Sequence, residues 1–205
     1  MSADREASET GDPEPPVVLK LGGSLITKKD RPETLDDDAL DAACDAIAAA
    51  VSSGAIDRLA LVHGGGSYGH HHASEHGVST TEGTRDAGAV MDIHDGVATA
   101  GAGVTVVSGD ELVVKLAVGL DARRVGVCST VPGVLDGAEG GEVIPVIDSF
   151  DAVADALGAS DATDVSGGMA AKVRELLALD APASVFGPDG LEPFLRGGDP
   201  GTRIE

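Results

Sequence analysis

Lysines beside glycine clusters are the residues of this sequence best suited to chemistry. The chain has five lysines, of which Lys20 precedes a glycine pair, Lys29 follows the same pair, and Lys172 follows another by one helical turn. A charged amine in a strand next to a glycine loop destabilises the fold unless an anion pairs with it. The pattern therefore predicts a polyphosphate site. Lys115 is better explained as a solvated surface lysine paired with the abundant Asp, an interpretation that Lys28 also allows.

Glycines cluster at three places, residues 22–23, 64–66 and 167–168. In open α/β sheets the ligand lies beyond the carboxyl ends of the strands, where loops expose backbone N–H groups and helix N-termini point outward. One glycine pair at such a point usually serves the turn, but three clusters together favour an anion cradle. The P-loop pattern GxxxxGK[ST] is not found in these stretches, so another class of phosphate-binding protein is indicated.

The elements that position these loops alternate between strand and helix. A short apolar strand is predicted at residues 17–21, and a helix at 34–53 with acidic residues in its first turn and Gly54 as its stop. Further strands are predicted at 58–62, 105–107, 123–128, 143–147 and 183–186, and further helices within 70–95 and at 110–119, 149–157 and 169–179. This alternation implies an α/β fold, with a mainly parallel sheet sandwiched between helices.

The charge balance excludes several kinds of partner. Thirty-five Asp and Glu against fourteen Lys and Arg give a formal net charge of −21, which argues against binding nucleic acid or an acidic membrane surface. Hydrophobic residues make up 42% of the chain, too many for a disordered protein. Because the Debye length falls to about 3 Å in 1 M salt, the Asp-rich, Lys-poor composition predicts a halophilic protein.

The ends of the chain carry further expectations. No apolar run approaches the roughly 20 residues of a membrane helix, and the first six residues lack the basic and apolar parts of a signal peptide, so we expect a cytoplasmic protein. Residues 1–16 are predicted to be a disordered acidic tail, with a single domain over 17–205. Cys44 and Cys128 lie far apart and lack metal-ligand or redox spacing, so no disulfide framework is expected.

Four motifs follow one another along the chain: Lys20-Leu-Gly-Gly-Ser24-Leu-Ile-Thr-Lys-Lys29, His63-Gly-Gly-Gly-Ser-Tyr-Gly-His70, Ser108-Gly-Asp110 and Asp164-Val-Ser-Gly-Gly-Met-Ala-Ala-Lys172. In this order, from residue 17 to the C-terminus, they resemble the amino acid kinase superfamily and, within it, the isopentenyl phosphate kinase family. The histidine after GGGxxG distinguishes this family from its relatives, because the relatives that act on carboxylates, carbamate or nucleoside monophosphates have a different sequence at that point.

The resemblance implies an activity and a set of site residues. It implies that ATP, with Mg²⁺, phosphorylates the small molecule isopentenyl phosphate to isopentenyl diphosphate in the archaeal mevalonate pathway, and that the enzyme is a homodimer. Lys29 would stabilise the transition state, and Asp164 would orient the lysines. The acceptor phosphate would bind Gly65 and His70, and the catalytic group would comprise Lys29, His70, Lys20 and Lys172. Contacts to ATP would come from Lys20, Gly22, Gly23, Ser24, Gly66, Gly168 and Lys172, and from Thr130, where relatives often carry Asp.

The chain departs from this family between His70 and Ser108, where it is shorter by several dozen residues. We expect the acceptor-side half to be shortened near 92–100, the nucleotide-side half to occupy about 101–205, and the acceptor pocket to be incomplete. Three explanations remain open: an altered substrate, an inactive remnant, or a deletion in the gene or its prediction. Alternative functions are a related kinase acting on a carboxylate such as glutamate, against which His70 argues, and an inactive ATP-binding remnant.

A run of three histidines, residues 70–72, also raises the question of a metal site. Adjacent residues on a helix point in different directions, so all three cannot face one ion. We therefore predict no metal ligands here and read His70 as a hydrogen-bond donor to the acceptor phosphate.

Overall fold

The computed structural model describes residues 13–69, 71, 109–137, 141–158 and 168–205. In chain order the described elements are β1 (Val17–Leu21), α1 (Gly23–Ile26), α2 (Asp37–Ser52), β2 (Leu59–His63), α3 (Gly109–Gly119), β3 (Arg124–Cys128), β4 (Val146–Ile147), α4 (Ala154–Gly158), α5 (Gly168–Leu177), β5 (Ala183–Phe186), a 3-10 turn (Pro188–Gly190), α6 (Leu191–Leu195) and β6 (Thr202–Ile204). None of the helices in these ranges is both long and apolar enough to cross a membrane.

The strands form one sheet in the order β2-β1-β3-β5-β6-β4. Neighbouring strands are parallel throughout except for β5 and β6, which run antiparallel. Val17 pairs in register with Leu59 on one side and Arg124 on the other, so β1, β2 and β3 end at one level. The loops after these strands therefore meet at one edge, and the predicted parallel α/β sheet is confirmed.

Alternation along β1 separates two cores. All five of its residues are buried, as expected of a central strand covered on both faces. Val18 joins the core that contains Val113 of α3 and Val173 of α5, whereas Leu19 joins the core that contains Phe186 and Phe194. The sheet thus lies between α3, α4 and α5 on one face and α1, α2 and α6 on the other, as the sequence predicted.

Several boundaries differ from the predicted ones. The helix predicted at 34–53 begins at Asp37, because Asp36 caps it by accepting from the Ala39 N–H and residues 34–36 bond to the strand-like stretch at 26–28. The strand predicted at 143–147 reduces to Val146–Ile147, since Val143 forms an antiparallel bridge with Leu135 instead. The helix predicted at 149–157 is Ala154–Gly158, preceded by a turn. The strand predicted at 105–107 lies outside the described residues, as does almost all of 70–95.

The last residues of the predicted tail contact the domain. Arg123 donates to the Glu14 carboxylate at 3.1 Å, and Arg58 donates to the Glu14 carbonyl at 3.1 Å. The Arg123 N–H also donates to the carbonyl of Pro16, which is buried. Residues 13–16 thus contact the domain through the carbonyls of Glu14 and Pro16. Residues 1–12 lie outside the described ranges, and for them the disordered tail stays a prediction.

Candidate active site

The glycine loops after β1 and β2 touch each other through their backbones. The Gly64 N–H donates to the Leu21 carbonyl at 3.2 Å, so the second loop leaves the sheet against the end of the first strand. A Cβ atom at Gly23 would overlap the backbone of Gly66, and one at Gly64 would meet the Gly23 nitrogen at 2.9 Å. This closeness requires glycine on both sides, and it brings two predicted phosphate-binding stretches together.

Gly66 has a second reason to be glycine. Its φ of 53° lies in the left-handed region, which other residues rarely adopt. The turn allows a helical segment to begin at residue 67, where the N–H groups of Tyr68 and Gly69 donate to the carbonyls of Gly65 and Gly66 at 3.1 and 3.2 Å. The predicted ligands Gly65 and Gly66 therefore lie at the start of a helical turn, where backbone N–H groups point outward.

Two buried hydroxyl groups join these loops, and the sequence reasoning assigned them no role. Thr27 Oγ1 donates to the Gly23 carbonyl at 2.8 Å and accepts from the Ser67 N–H at 2.9 Å. Ser67 Oγ accepts from the Thr34 N–H and donates to the Thr34 carbonyl, both at 3.1 Å. Both residues stood within recognised motifs, but only the fold shows that residues 40 positions apart are bonded to each other.

Lys20 is a buried cation held by a carboxylate. It lies two residues after Val18 and so faces the same side of the sheet, toward α3. Its Nζ lies 2.5 Å from Asp110 Oδ1, with side chains that are 11% and 12% exposed, and its Cε lies 3.1 Å from where a Cβ of Gly109 would be. Asp110 had been noted in a motif without a role. The ion pair fixes the position of the Lys20 ammonium group beside the first turn of α3.

Glu175 on α5 was missed entirely by sequence reasoning. Its Oε2 is buried and accepts no hydrogen bond. Burial, together with the like charges of Asp110 and Glu111, raises the pKa of Glu175 above its usual value, and the positive charges of Lys20 and Lys172 offset part of that rise. Two predicted ATP ligands from distant parts of the sequence thus act on one carboxylate, so the fold brings Lys20 and Lys172 into one electrostatic neighbourhood.

The remaining predicted ligands lie on separate elements. Gly22, whose N–H donates to the Cys128 carbonyl at 2.9 Å, and the half-buried Ser24 flank the start of α1. Lys29 is exposed on the loop between α1 and α2, and Thr130 is exposed on the loop after β3. Gly168 opens α5 with a φ of 69° and open space around it. The predicted residues His70 and Asp164 lie outside the described residues.

Two other features limit the possible chemistry. Burial raises the pKa of the Cys128 thiol to about 12, so this group stays protonated and is no nucleophile at neutral pH. Within the described ranges, no group of three or more His, Cys, Asp or Glu side chains could hold a metal ion. What this edge of the sheet offers is cationic side chains and backbone N–H groups, the means by which proteins bind phosphates.

Comparison with known proteins identifies the relatives of this arrangement. The sequence matches the amino acid kinase family over residues 15–103 and again over residues 85–179. The isopentenyl phosphate kinase of Haloferax volcanii is 49% identical over 247 residues, covering 92% of this chain and 98% of that protein. The alignment therefore runs from near one end to near the other in both chains.

Solved structures share the fold. X-ray structures of isopentenyl phosphate kinase match with a TM-score of 0.66 and 22% identity, covering 92% of this chain and 99% of that chain. The product complex of the T. acidophilum isopentenyl phosphate kinase matches with a TM-score of 0.65 and 17% identity, again covering 92% and 99%. At these sequence identities the structural matches show a shared fold and nothing further.

The comparisons also bear on the shortened middle of the chain. The 247 aligned residues exceed the 205 residues of this chain, so the Haloferax volcanii protein has several dozen residues without a counterpart here. The two matches to the family overlap at residues 85–103, which include the predicted junction near 92–100. Both observations support a shortening between the second glycine loop and α3.

Proposed function

The chain belongs to the amino acid kinase family and, within it, to the isopentenyl phosphate kinases, and on that premise we propose that it transfers the γ-phosphoryl group of ATP to isopentenyl phosphate, forming isopentenyl diphosphate for isoprenoid biosynthesis. The observation that carries the proposal is the contact between the β1 and β2 glycine loops, with the ion-paired Lys20 beside them. With this contact, two phosphate-bearing substrates could bind in neighbouring loops at one edge of the sheet.

Phosphoryl transfer requires a site that combines backbone N–H groups with cationic side chains. The reaction depends on in-line positioning and on neutralising the charge of the transferring oxygens, more than on proton chemistry. An acceptor that is already a phosphate anion needs no general base. Its difficulty is repulsion from ATP, which cations and backbone N–H groups offset.

The proposed roles of the residues follow that division. Lys29 neutralises charge in the transition state, and Asp164 orients the lysines. Gly65 and His70 hold the acceptor phosphate. The ATP ligands are Lys20, Gly22, Gly23, Ser24, Gly66, Thr130, Gly168 and Lys172.

Mg²⁺ belongs to the proposal as the counter-ion of ATP. Magnesium is usually held through substrate phosphates together with one or two carboxylates. The described residues provide no all-protein cage, so the ion would arrive with the nucleotide.

The surroundings of the enzyme are part of the same proposal. The strongly acidic composition and the relative from Haloferax volcanii support a halophilic, cytoplasmic enzyme. A homodimer is proposed from the family resemblance. Light scattering in molar KCl measures this directly: twice the mass of the 20.4 kDa chain is expected, and the mass of one chain would contradict it.

A coupled assay of ADP release in molar KCl tests the activity, with isopentenyl phosphate, other small alkyl phosphates and glutamate offered in turn. Turnover with isopentenyl phosphate is expected. Turnover with glutamate alone would instead identify a carboxylate kinase. Mg-ATP binding without turnover on any acceptor would identify an ATP-binding remnant, consistent with the shortened middle region.

Two variants test the assigned roles in the same assay. Lys29→Ala is expected to lower kcat roughly 10²- to 10³-fold, the usual scale for losing one preorganised electrostatic group. His70→Ala is expected to raise KM for the acceptor and leave ATP binding nearly unchanged, with His71→Ala as the control of the neighbouring imidazole. Equal loss of acceptor use and ATP binding would show that the role of His70 is wrongly assigned.

A further inference from the structure

Thr27 and Ser67 connect three loops that the proposed reaction must hold in register. We infer that these two residues are positioning residues for phosphoryl transfer, an inference that rests on the proposed function. Both hydroxyl groups are engaged by backbone groups of the loops, with Thr27 bonded to Gly23 and Ser67, and Ser67 bonded to Thr34. Both residues are nearly inaccessible to solvent, 4% and 5% exposed. The bond from Thr27 to Gly23 lies within α1 and its C-cap, whereas the bonds of Ser67 to Thr27 and Thr34 run between loops.

The first link fixes the loop after β1 (residues 22–27, the nucleotide loop) to the loop after β2 (residues 64–67, the acceptor loop, which also carries Gly66). Thr27 Oγ1 donates to the carbonyl of Gly23, the first residue of α1, and accepts from the N–H of Ser67, the residue after Gly66. One hydroxyl thus bonds both glycine loops. The Gly23 carbonyl and the Ser67 N–H are thus joined through this oxygen by two hydrogen bonds, of 2.8 and 2.9 Å.

The second link fixes the loop that carries Lys29. Residues 27–35 fold back on themselves, with an antiparallel bridge between Thr27 and Leu35 and a bond of 2.9 Å from the Lys28 N–H to the Thr34 carbonyl. Ser67 Oγ bonds both the N–H and the carbonyl of Thr34. The base of the Lys29 loop is therefore attached to the acceptor loop at two points.

The chemistry of these links favours positioning over simple packing. An apolar pair could fill the same space, but its contacts would not fix direction, whereas hydrogen bonds prefer a narrow range of angle and distance. Buried hydroxyls also destabilise the fold unless they are satisfied, and here each one both donates and accepts. Catalytic groups must be held to within about 0.5 Å of the productive geometry, which a directional, fully bonded network can provide.

Paired substitutions at Thr27 test the inference. Thr27→Val keeps the shape and removes the hydroxyl, whereas Thr27→Ser keeps the hydroxyl and removes a methyl group. Thr27→Val is expected to lower kcat about 10- to 100-fold, since small misplacements of reacting groups have effects of this size, with KM for ATP changed less than about threefold. Thr27→Ser is expected to restore most of kcat.

A buried hydroxyl elsewhere controls for lost stability. Thr202 is fully buried in β6, and its Oγ1 accepts from the Val134 N–H at 2.8 Å. Thr202→Val is expected to lower the melting temperature about as much as Thr27→Val and to keep kcat within about threefold. Equal kcat in the two Val variants, or an equal loss in Thr27→Val and Thr27→Ser, would overturn the inference.

A readout without turnover separates this inference from the proposed function. Amide hydrogen exchange of the folded chain is expected to be faster over residues 28–35 and 64–69 in Thr27→Val, and to match the wild type in Thr27→Ser. If exchange over both segments is unchanged in Thr27→Val, the positioning role is wrong even when the wild type is active. If the wild type transfers phosphate to no acceptor, the proposed function fails, whatever exchange shows.

Discussion

Two corners of the sheet have similar local structure. At the β1–β2 corner (residues 22–28 and 64–67), Gly66 adopts a φ of 53° against Thr27 and the Gly23 carbonyl. At the β5–β6 corner (residues 186–190 and 200–202, with 132–134), Gly201 adopts a φ of 70° against the carbonyls of Val185 and Pro132. Each corner also buries a threonine hydroxyl that accepts from a backbone N–H, Thr27 in the first and Thr202 in the second.

What differs between the corners is the placement of lysine side chains. The charged groups near the β5–β6 corner include Arg203 within β6 and Asp199, which lies 3.7 Å from Arg124. The β1–β2 corner adjoins the Lys20–Asp110 pair and leads into the loop of Lys29, whereas the β5–β6 corner packs Gly190 against Phe186 and Pro200. Tight glycines and buried hydroxyls therefore build rigid turns in both places. Such turns therefore do not by themselves indicate a phosphate site, and the proposed site combines them with Lys20 and Lys29.

Removing the buried cation is expected to have the largest effect on this contrast. Lys20→Met should lower kcat roughly 10²- to 10³-fold, because it removes a preorganised charge from the nucleotide site. Lys115→Met is the control, since Lys115 is 67% exposed and pairs with Glu111 only on the helix surface. The coupled assay of ADP release measures both.

Lys20→Met removes the ion-pair partner Lys20 from the buried Asp110, so a loss of folding could imitate a loss of catalysis. The double variant Lys20→Met with Asp110→Asn removes the stranded charge as well. It is expected to melt nearer to the wild type than Lys20→Met and to remain as inactive. Recovery of activity in the double variant would mean that Lys20 acts through stability alone.

Alanine at the two left-handed glycines tests the comparison next. Gly66→Ala and Gly201→Ala should each lower the free energy of unfolding by about 1–3 kcal/mol, because each forces a non-glycine residue into a strained conformation. Only Gly66→Ala should also lower kcat, about 10- to 100-fold, by separating the two phosphate loops. Thermal melts and kcat are measured side by side for the two variants. An equal loss of turnover in both would contradict the contrast.

The smallest expected effect concerns the pH dependence of stability. Because the pKa of Glu175 is raised in the folded state, the native protein binds more protons than the unfolded chain above the usual carboxyl pKa of 4.5, and stability falls as the pH rises through that window toward the folded pKa. Glu175→Gln removes this titration. The melting temperature of the variant relative to the wild type should therefore be higher at pH 7.5 than at pH 4.5.

Melts of the wild type and Glu175→Gln at both pH values, in the same molar KCl, measure this difference. Glu192→Gln is a suitable control, because Glu192 lies on the surface of α6 and pairs with Arg196. An equal difference in melting temperature at the two pH values would show that Glu175 is not strained by burial in the native state.

Local patterns predicted much of the fold. The apolar run of β1, the acidic first turn of α2 and the glycine stops identified elements whose ends agree with the structure within a few residues. Prediction failed at 143–147, where bridge pairing of Val143 with Leu135 competes with the sheet, and the helix predicted at 149–157 begins only at Ala154. That competition depends on a contact with another segment, which no local pattern reports.

The site divides along the same line. Glycine clusters and rare lysines in an acidic chain were enough to predict phosphate chemistry and to indicate residues such as Lys20 and Gly66. Asp110 lay within a recognised motif but its partner did not follow from spacing, and Glu175 lay within an ordinary amphipathic helix. Their roles arise from proximity across elements.

The sequence by itself determined which residues could bind phosphate, because glycine flexibility and the cost of an unanswered charge are properties of single residues and their neighbours along the chain. The tertiary structure alone decided which of them meet: parallel pairing in register brings the ends of β1 and β2 together, and burial then turns Thr27, Ser67 and Lys20 into fixed parts of one edge. Distances between such groups depend on the packing of the whole sheet, which is why no motif contained them.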